Sequence, residues 1–146
     1  MANENGKTVK IKLVSSIIPT EGELEQYEMW LEGSCIEKGE SHYLRYEEVQ
    51  EDLQIQTTIK LNPEQGFIHR KGGVNMRLPL TLGMRGNGHY ESPFGSLPIL
   101  TDTHQLAIDV QQNEKVSGRF NTQYDLIIGG NSVGRYTLDI QFMEVQ

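Results

Sequence analysis

Apolar and polar residues alternate with a period of two along almost the whole chain, and this pattern constrains the fold more than any other feature. Successive side chains of a β-strand point to opposite faces, so such alternation indicates strands with one buried face. One run places apolar side chains or threonine at every second position, in Leu53, Ile55, Thr57, Ile59 and Leu61. No segment of length shows the 3.6-residue period of an amphipathic helix. We therefore expect an all-β protein.

Turn signals separate about ten such runs. The segment Ser92-Pro93-Phe94-Gly95 has the preferred residues of a type I turn, while 48–52 predicts an acidic turn and 83–88 a glycine-rich loop. A meander of strands must hide its edges, and closure into a barrel removes them. The sequence predicts a single antiparallel up-and-down β-barrel domain of about eight to ten strands over residues 1–146. Within it, 1–7 is expected to be a flexible N-terminal segment.

Composition excludes several classes of protein. A formal net charge of −7 argues against a nucleic-acid partner, and no apolar run approaches the roughly 18 residues of a membrane span. The first residues lack the apolar stretch of a secretory signal, and the single cysteine, Cys35, has no internal disulfide partner. A cytoplasmic location is expected.

No motif predicts catalysis, a metal or another cofactor. The segment 130–134 matches Gly-x-Ser-x-Gly, but a nucleophile elbow lies between a strand and a helix, and here two strands flank it. The four histidines lack metal-ligand spacing. Carboxylates at Glu47, Glu48, Glu51 and Asp52 are of a type that serves in acid–base pairs, and a charged turn explains them more simply. We expect a protein that is not an enzyme.

The inward face offers the best candidate site. A mostly apolar cavity with a few polar anchors is the usual form of a small-molecule site, and Arg70 is a natural counter-ion for a ligand carboxylate. The alternative is that the inward polar groups satisfy one another. The predicted ligand-lining residues are Tyr46, Thr57, Arg70, Met76, Tyr90, Phe120 and Tyr124.

Several segments together resemble the YwiB-like family of bacterial proteins. They are His42-Tyr43-Leu44-Arg45-Tyr46-Glu47-Glu48, Thr57-Thr58-Ile59-Lys60, Ile68-His69-Arg70-Lys71-Gly72 and Tyr90-Glu91-Ser92-Pro93-Phe94-Gly95-Ser96-Leu97, followed by two long terminal strands. The resemblance implies a cytoplasmic calycin-type, lipocalin-like barrel. It brings no activity, ligand or catalytic residue to this chain.

Two functions remain open, while a third, a small hydrolase or lyase that uses the acidic turn or Arg70, is disfavoured because the sequence shows no nucleophile–base pair. The first is a binding barrel that holds a small hydrophobic or amphipathic ligand in its interior. The second is a protein–protein interaction or oligomerisation module, for example a homodimer, with the barrel as its scaffold. Exposed Trp30, Tyr43 and Phe94 on otherwise polar faces would mark the second function.

Overall fold

The computed structural model describes residues 6–145, which form ten β-strands in one closed antiparallel barrel. Strand order around the barrel follows chain order, and β1 pairs with β10 to close it. The expected all-β, up-and-down barrel is confirmed. The strands are β1 (Lys7–Pro19), β2 (Glu25–Lys38), β3 (Ser41–Gln50), β4 (Leu53–Leu61), β5 (Gly66–Gly72), β6 (Asn75–Leu80), β7 (Arg85–Ser92), β8 (Gly95–Gln112), β9 (Val116–Ile128) and β10 (Asn131–Glu144).

The alternating sequence pattern decides which face of each strand is buried. Side chains at every second position point inward, and they form one apolar core that fills the middle of the barrel. The largest side chain with no exposed surface is Phe120, and it is surrounded by aliphatic residues from several strands. Among the fully buried members of this core are Ile11, Leu13, Leu44, Ile59, Leu80, Ile99 and Ile140.

The two ends of the barrel differ in their connections. The turns after β1, β3, β5, β7 and β9 lie together at one end, which we call the hairpin end. The other end, which we call the terminal end, carries the start of β1, the end of β10 and the remaining four turns. This distinction matters because polar inward-facing residues collect near the hairpin end.

The ladder between β6 and β7 is the shortest in the described barrel, with three residue pairs from Asn75–Glu91 to Arg77–His89. Gly86 and Gly88 lie in β7, so the loop expected over 83–88 is wrong beyond residue 84. A Cβ at Gly86 would lie 2.7 Å from the ring of Pro79, and one at Gly88 would collide with the Arg77 carbonyl oxygen. Glycine therefore serves close strand approach here, not loop flexibility.

Two further boundaries differ from the sequence-based expectation. The predicted turn over 48–52 is shorter, because β3 continues to residue 50 and only Glu51 and Asp52 connect it to β4. Of the N-terminal segment expected to be flexible, residues 1–5 lie outside the described residues. Lys7 already begins β1 and pairs with Cys35 of β2.

Candidate functional site

Five of the seven predicted ligand-lining residues form one continuous row across the barrel wall. Tyr46 on β3 is the direct cross-strand partner of Thr57 on β4, which is the partner of Arg70 on β5. The row continues from Arg70 to Met76 on β6 and from Met76 to Tyr90 on β7. One inward-facing band therefore contains an aromatic ring at each end with hydroxyl, guanidinium and thioether groups between them.

Tyr124 lies on a distant part of the wall, yet it belongs to the same polar cluster. It stands on β9, four strands away from β5 around a barrel of ten. Arg70 lowers the pKa of both Tyr46 and Tyr124, so its guanidinium lies close enough to act on phenols from two separate parts of the wall. We call Tyr46, Glu48, Thr57, Arg70, Thr103 and Tyr124 the interior polar cluster.

Glu48 also belongs to this cluster, although the sequence predicts that it lies in a turn. It lies in β3 with its side chain 7% exposed, two residues after Tyr46 and so on the same inward face. Its Oε2 atom lies 3.8 Å from Nη2 of Arg70. The interior site thus contains a buried carboxylate beside its cation, and the pair is electrically neutral as a whole.

The guanidinium of Arg70 is only loosely held by the protein. Its side chain is 25% exposed, and the ion pair with Glu48 is longer than a hydrogen bond. Within residues 6–145, the Arg70 side chain makes no hydrogen bond and no other ion pair. A guanidinium has five N–H donors, so several donors of Arg70 have no hydrogen-bond acceptor among residues 6–145.

The two phenols of the cluster are strongly buried. Burial raises the pKa of Tyr46, and Glu48 acts in the same direction against the smaller opposite effect of Arg70. Burial likewise raises the pKa of Tyr124, whose ring stacks on Tyr136 with centroids 5.4 Å apart and planes at 5°. Both phenols therefore stay protonated at neutral pH and act as hydrogen-bonding groups, not as bases.

Two buried hydroxyls of the cluster lack regular partners in the described part of the chain. A side-chain hydrogen bond from Thr57 lowers the pKa of Tyr46, but this contact is not of regular geometry, and Oγ1 of Thr103 makes no hydrogen bond. By contrast, Thr122 on the same inward face donates to the Gln105 carbonyl oxygen at 2.8 Å. Since an unsatisfied buried polar group costs about 1–3 kcal/mol, these threonines point to water or ligand in the cluster.

The remaining predicted residue, Phe120, lies deeper in the barrel. It is two inward positions from Tyr124 towards the middle and has no exposed surface. Its neighbours Ile108 and Ile140 on the adjacent strands belong to the apolar core. The structure therefore brings six predicted residues to the hairpin end and places Phe120 beneath them as the apolar floor.

Two concave regions lie away from this cluster. An outer groove of about 1140 Å³ crosses β2, β1, β10, β9 and β8, and it exposes Trp30 and Met143. A smaller pocket of about 300 Å³ lies at the terminal end and is lined in part by Cys35 and His42. Burial raises the pKa of the Cys35 thiol to about 11, with Glu37 adding to the effect, so this thiol is not activated as a nucleophile.

Neither a metal centre nor a membrane-spanning helix is found in the described part of the chain. Residues 6–145 contain no group of three or more His, Cys, Asp or Glu side chains placed to hold a metal ion. They also contain no helix that is long and apolar enough to cross a membrane.

The sequence carries one signal that marks Glu48 as inward-facing. Leu44, Tyr46 and Glu48 occupy every second position of β3, and the side chains of Leu44 and Tyr46 are buried. Continuing the alternation therefore places the Glu48 side chain inside the barrel. Thr103 carries the same signal, because Ile99 and Thr101 precede it at every second position of β8 and both are buried. A register shift between Thr103 and Gln105 interrupts the alternation along β8 immediately after it.

Comparison with known proteins gives one family and one solved fold. Residues 11–140 match the family described as "Domain of unknown function (DUF1934)". The uncharacterized β-barrel protein YwiB of Bacillus subtilis (strain 168) is 25% identical over 129 residues, which are 88% of this chain and 89% of that protein. The crystal structure of the ywiB protein from Bacillus subtilis superposes with a TM-score of 0.81 at 22% identity, covering 97% of this chain and 94% of that chain.

Proposed function

Since the chain belongs to the DUF1934 family, which is defined by a domain of unknown function, we propose from the site itself that the barrel binds a small, partly hydrophobic ligand. The ligand enters at the hairpin end and contacts the interior polar cluster, with Met76 and Tyr90 as apolar walls and Phe120 as the floor. Apolar walls with a few convergent polar groups are the usual composition of a small-molecule site.

One observation supports this proposal above the others. The donors of Arg70 and the hydroxyls of Thr57 and Thr103 face the same interior region, and none of them has a regular hydrogen-bond partner in residues 6–145. Barrel interiors that serve only as scaffold are filled with side chains that satisfy one another. A bound molecule with oxygen acceptors would supply the missing partners.

We propose binding without catalysis. The phenols of Tyr46 and Tyr124 have raised pKa values, so neither is a base at neutral pH. Cys35 lines the pocket at the terminal end, away from the hairpin end that holds the cluster. The cluster thus offers hydrogen-bond donors and an ion pair but no activated nucleophile beside a base. The proposal also keeps the cytoplasmic location expected from the sequence.

The binding site can be located by a nuclear magnetic resonance titration. The probe is the neutral fluorescent dye N-phenyl-1-naphthylamine, added to ¹⁵N-labelled protein while the backbone amide shifts are followed. We expect the largest shifts at Tyr46, Thr57, Arg70, Met76 and Tyr90. Native mass spectrometry of the freshly purified protein would in addition detect a ligand retained from the host. Absence of dye binding, or shifts confined to the outer groove, would contradict the proposal.

A second function, self-association through the outer groove, is favoured by two exposed apolar side chains. Trp30 is 71% exposed and Met143 is 61% exposed, and both line the same groove. Tryptophan and methionine are enriched in protein interfaces. Light scattering would show a dimer that Trp30→Ser converts to a monomer. The matched control is Phe94→Ser at the β7–β8 turn, which is fully exposed and lies outside the groove. A monomeric parent protein would exclude this function.

A further inference from the structure

Three charged side chains act on the interior polar cluster or on Tyr136, whose ring stacks on it. Arg70 provides one positive charge, and Glu48 provides one negative charge at 3.8 Å from it. The third is Glu25, the first residue of β2, whose negative charge raises the pKa of Tyr136 at the hairpin end. The cluster therefore carries no net positive charge, and its entrance is slightly acidic.

Glu48 occupies the place that an anionic ligand group would need. A carboxylate or sulfonate that accepted hydrogen bonds from Arg70 would lie within a few ångströms of the Glu48 carboxylate. Glu48 is 7% exposed, so water screens this repulsion poorly. A built-in like charge is a common means of rejecting a class of ligand.

The other groups of the cluster favour neutral oxygen atoms. Arg70 donates only, whereas the hydroxyls of Tyr46, Tyr124, Thr57 and Thr103 each donate and accept. A carbonyl, amide or hydroxyl oxygen on a neutral molecule can accept hydrogen bonds from all of these groups without adding charge to the cluster.

We propose that Glu48 is a specificity-determining residue, and that the barrel selects an uncharged, partly apolar ligand with oxygen acceptors and rejects its anionic analogues. This inference rests on the proposed binding function and adds the ligand class to it.

Two dyes with one ring system test the inference. N-phenyl-1-naphthylamine is neutral, and 1-anilinonaphthalene-8-sulfonate has the same rings and an added sulfonate. We expect the parent protein to bind the neutral dye at least about tenfold more tightly than the sulfonated dye, because the Glu48 carboxylate repels the sulfonate. Glu48→Gln removes the charge with little change in shape. It should strengthen sulfonate binding by at least about tenfold and leave the affinity for the neutral dye within about threefold.

The chain offers a matched control in the next residue towards the N-terminus. Glu47→Gln makes the same change in net charge, but Glu47 is exposed on the outer face of β3. It should leave the ratio of the two affinities unchanged. Glu25→Gln, at the exposed start of β2, gives a second readout if Glu48→Gln does not fold, with an expected change of about twofold in favour of the sulfonate.

The outcomes separate the two proposals. If neither dye binds, or if both perturb only the outer groove, the binding function fails and the inference fails with it. If the dyes bind at the interior cluster but the parent protein prefers the sulfonate, the neutral-ligand inference alone is overturned. It is also overturned if Glu48→Gln and Glu47→Gln change the ratio of affinities equally.

Discussion

Asp125 on β9 and Arg135 on β10 are direct cross-strand partners and form a bidentate ion pair on the outer face of the barrel. Arg135 donates from Nε at 2.8 Å and from Nη2 at 3.2 Å to the two carboxylate oxygens. His104 on β8 lies 2.9 Å from the same carboxylate through its Nε2 atom. Three neighbouring strands are thus tied together by one acidic side chain.

This arrangement predicts a specific dependence of stability on pH. The hydrogen bonds from Arg135 lower the pKa of Asp125 to about 2, with His104 acting in the same direction against desolvation. Because the pKa is lower in the folded than in the unfolded state, the stabilisation is complete above about pH 4 and is lost as the pH falls through about 2. Allowing for partial exposure, Asp125→Asn should cost about 1–2 kcal/mol near neutral pH.

Urea unfolding near neutral pH and near pH 2 would measure this effect. We expect the difference between Asp125→Asn and the parent protein to shrink at the lower pH, where Asp125 itself becomes protonated. Asp52→Asn, in the exposed β3–β4 turn, is the control and should change neither value. An equal loss at both pH values would show that the ion pair does not contribute as described.

The close approach of β6 and β7 predicts that Gly88 does not tolerate a side chain. A Cβ at this position would collide with the Arg77 carbonyl oxygen and lie 2.9 Å from the Pro79 ring. Because only three residue pairs join these strands, we expect Gly88→Ala to lower the free energy of unfolding by at least about 2 kcal/mol. Gly6→Ala, whose Cβ would have an ordinary contact at 3.4 Å, should be nearly neutral in the same denaturant titration.

Cys35 should react with thiol reagents only after the barrel opens. It is 2% exposed, and burial raises the pKa of its thiol to about 11. Modification by Ellman's reagent at mildly alkaline pH should therefore be at least about a hundredfold slower in the native than in the denatured protein. A control with Cys35→Ser and Ser96→Cys places the thiol on an exposed position of β8 and should react quickly. Fast native modification of Cys35 would mean that the terminal end opens readily.

Phe120 should contribute to stability and not to ligand selectivity. It has no exposed surface, so Phe120→Leu removes packing at the centre of the core and should cost about 1–3 kcal/mol in denaturant unfolding. The ratio of affinities for the neutral and sulfonated dyes should stay within about twofold of the parent protein. A large change in that ratio would place Phe120 in direct contact with the charged part of the dye.

The architecture could be predicted from the sequence because alternation acts locally on each strand. The runs around Ile59 and Phe120 each have one buried apolar face. Closure of the sheet into a barrel follows from the need to cover the edges of the strands. The resemblance to the YwiB-like family is confirmed as well. The predicted bounds of the strands were less accurate where residues that usually favour turns lie in a strand. Gly86 and Gly88 suggested a loop, yet they lie in a strand that needs room for Pro79.

The candidate site could be predicted only in part. Parity placed Tyr46, Thr57 and Arg70 on the inward face, and the barrel register then made them neighbours. The partner of Arg70 was missed, because Glu48 stands beside three other acidic residues that together resemble a solvated turn. Which charged side chain points inward near a strand end depends on where the strand stops, and local composition does not determine that point.

The ladder between β1 and β10 has a consequence for the kinetics of folding. It joins Val9 to Glu144, so the contacts that complete the barrel link positions from opposite ends of the described sequence. The other nine ladders join strands that are adjacent along the chain. The entropy lost in closing such a long loop is offset only when the contacts of the last ladder form. Refolding should therefore be slow for a chain of this size, with the joining of β1 to β10 as its late step.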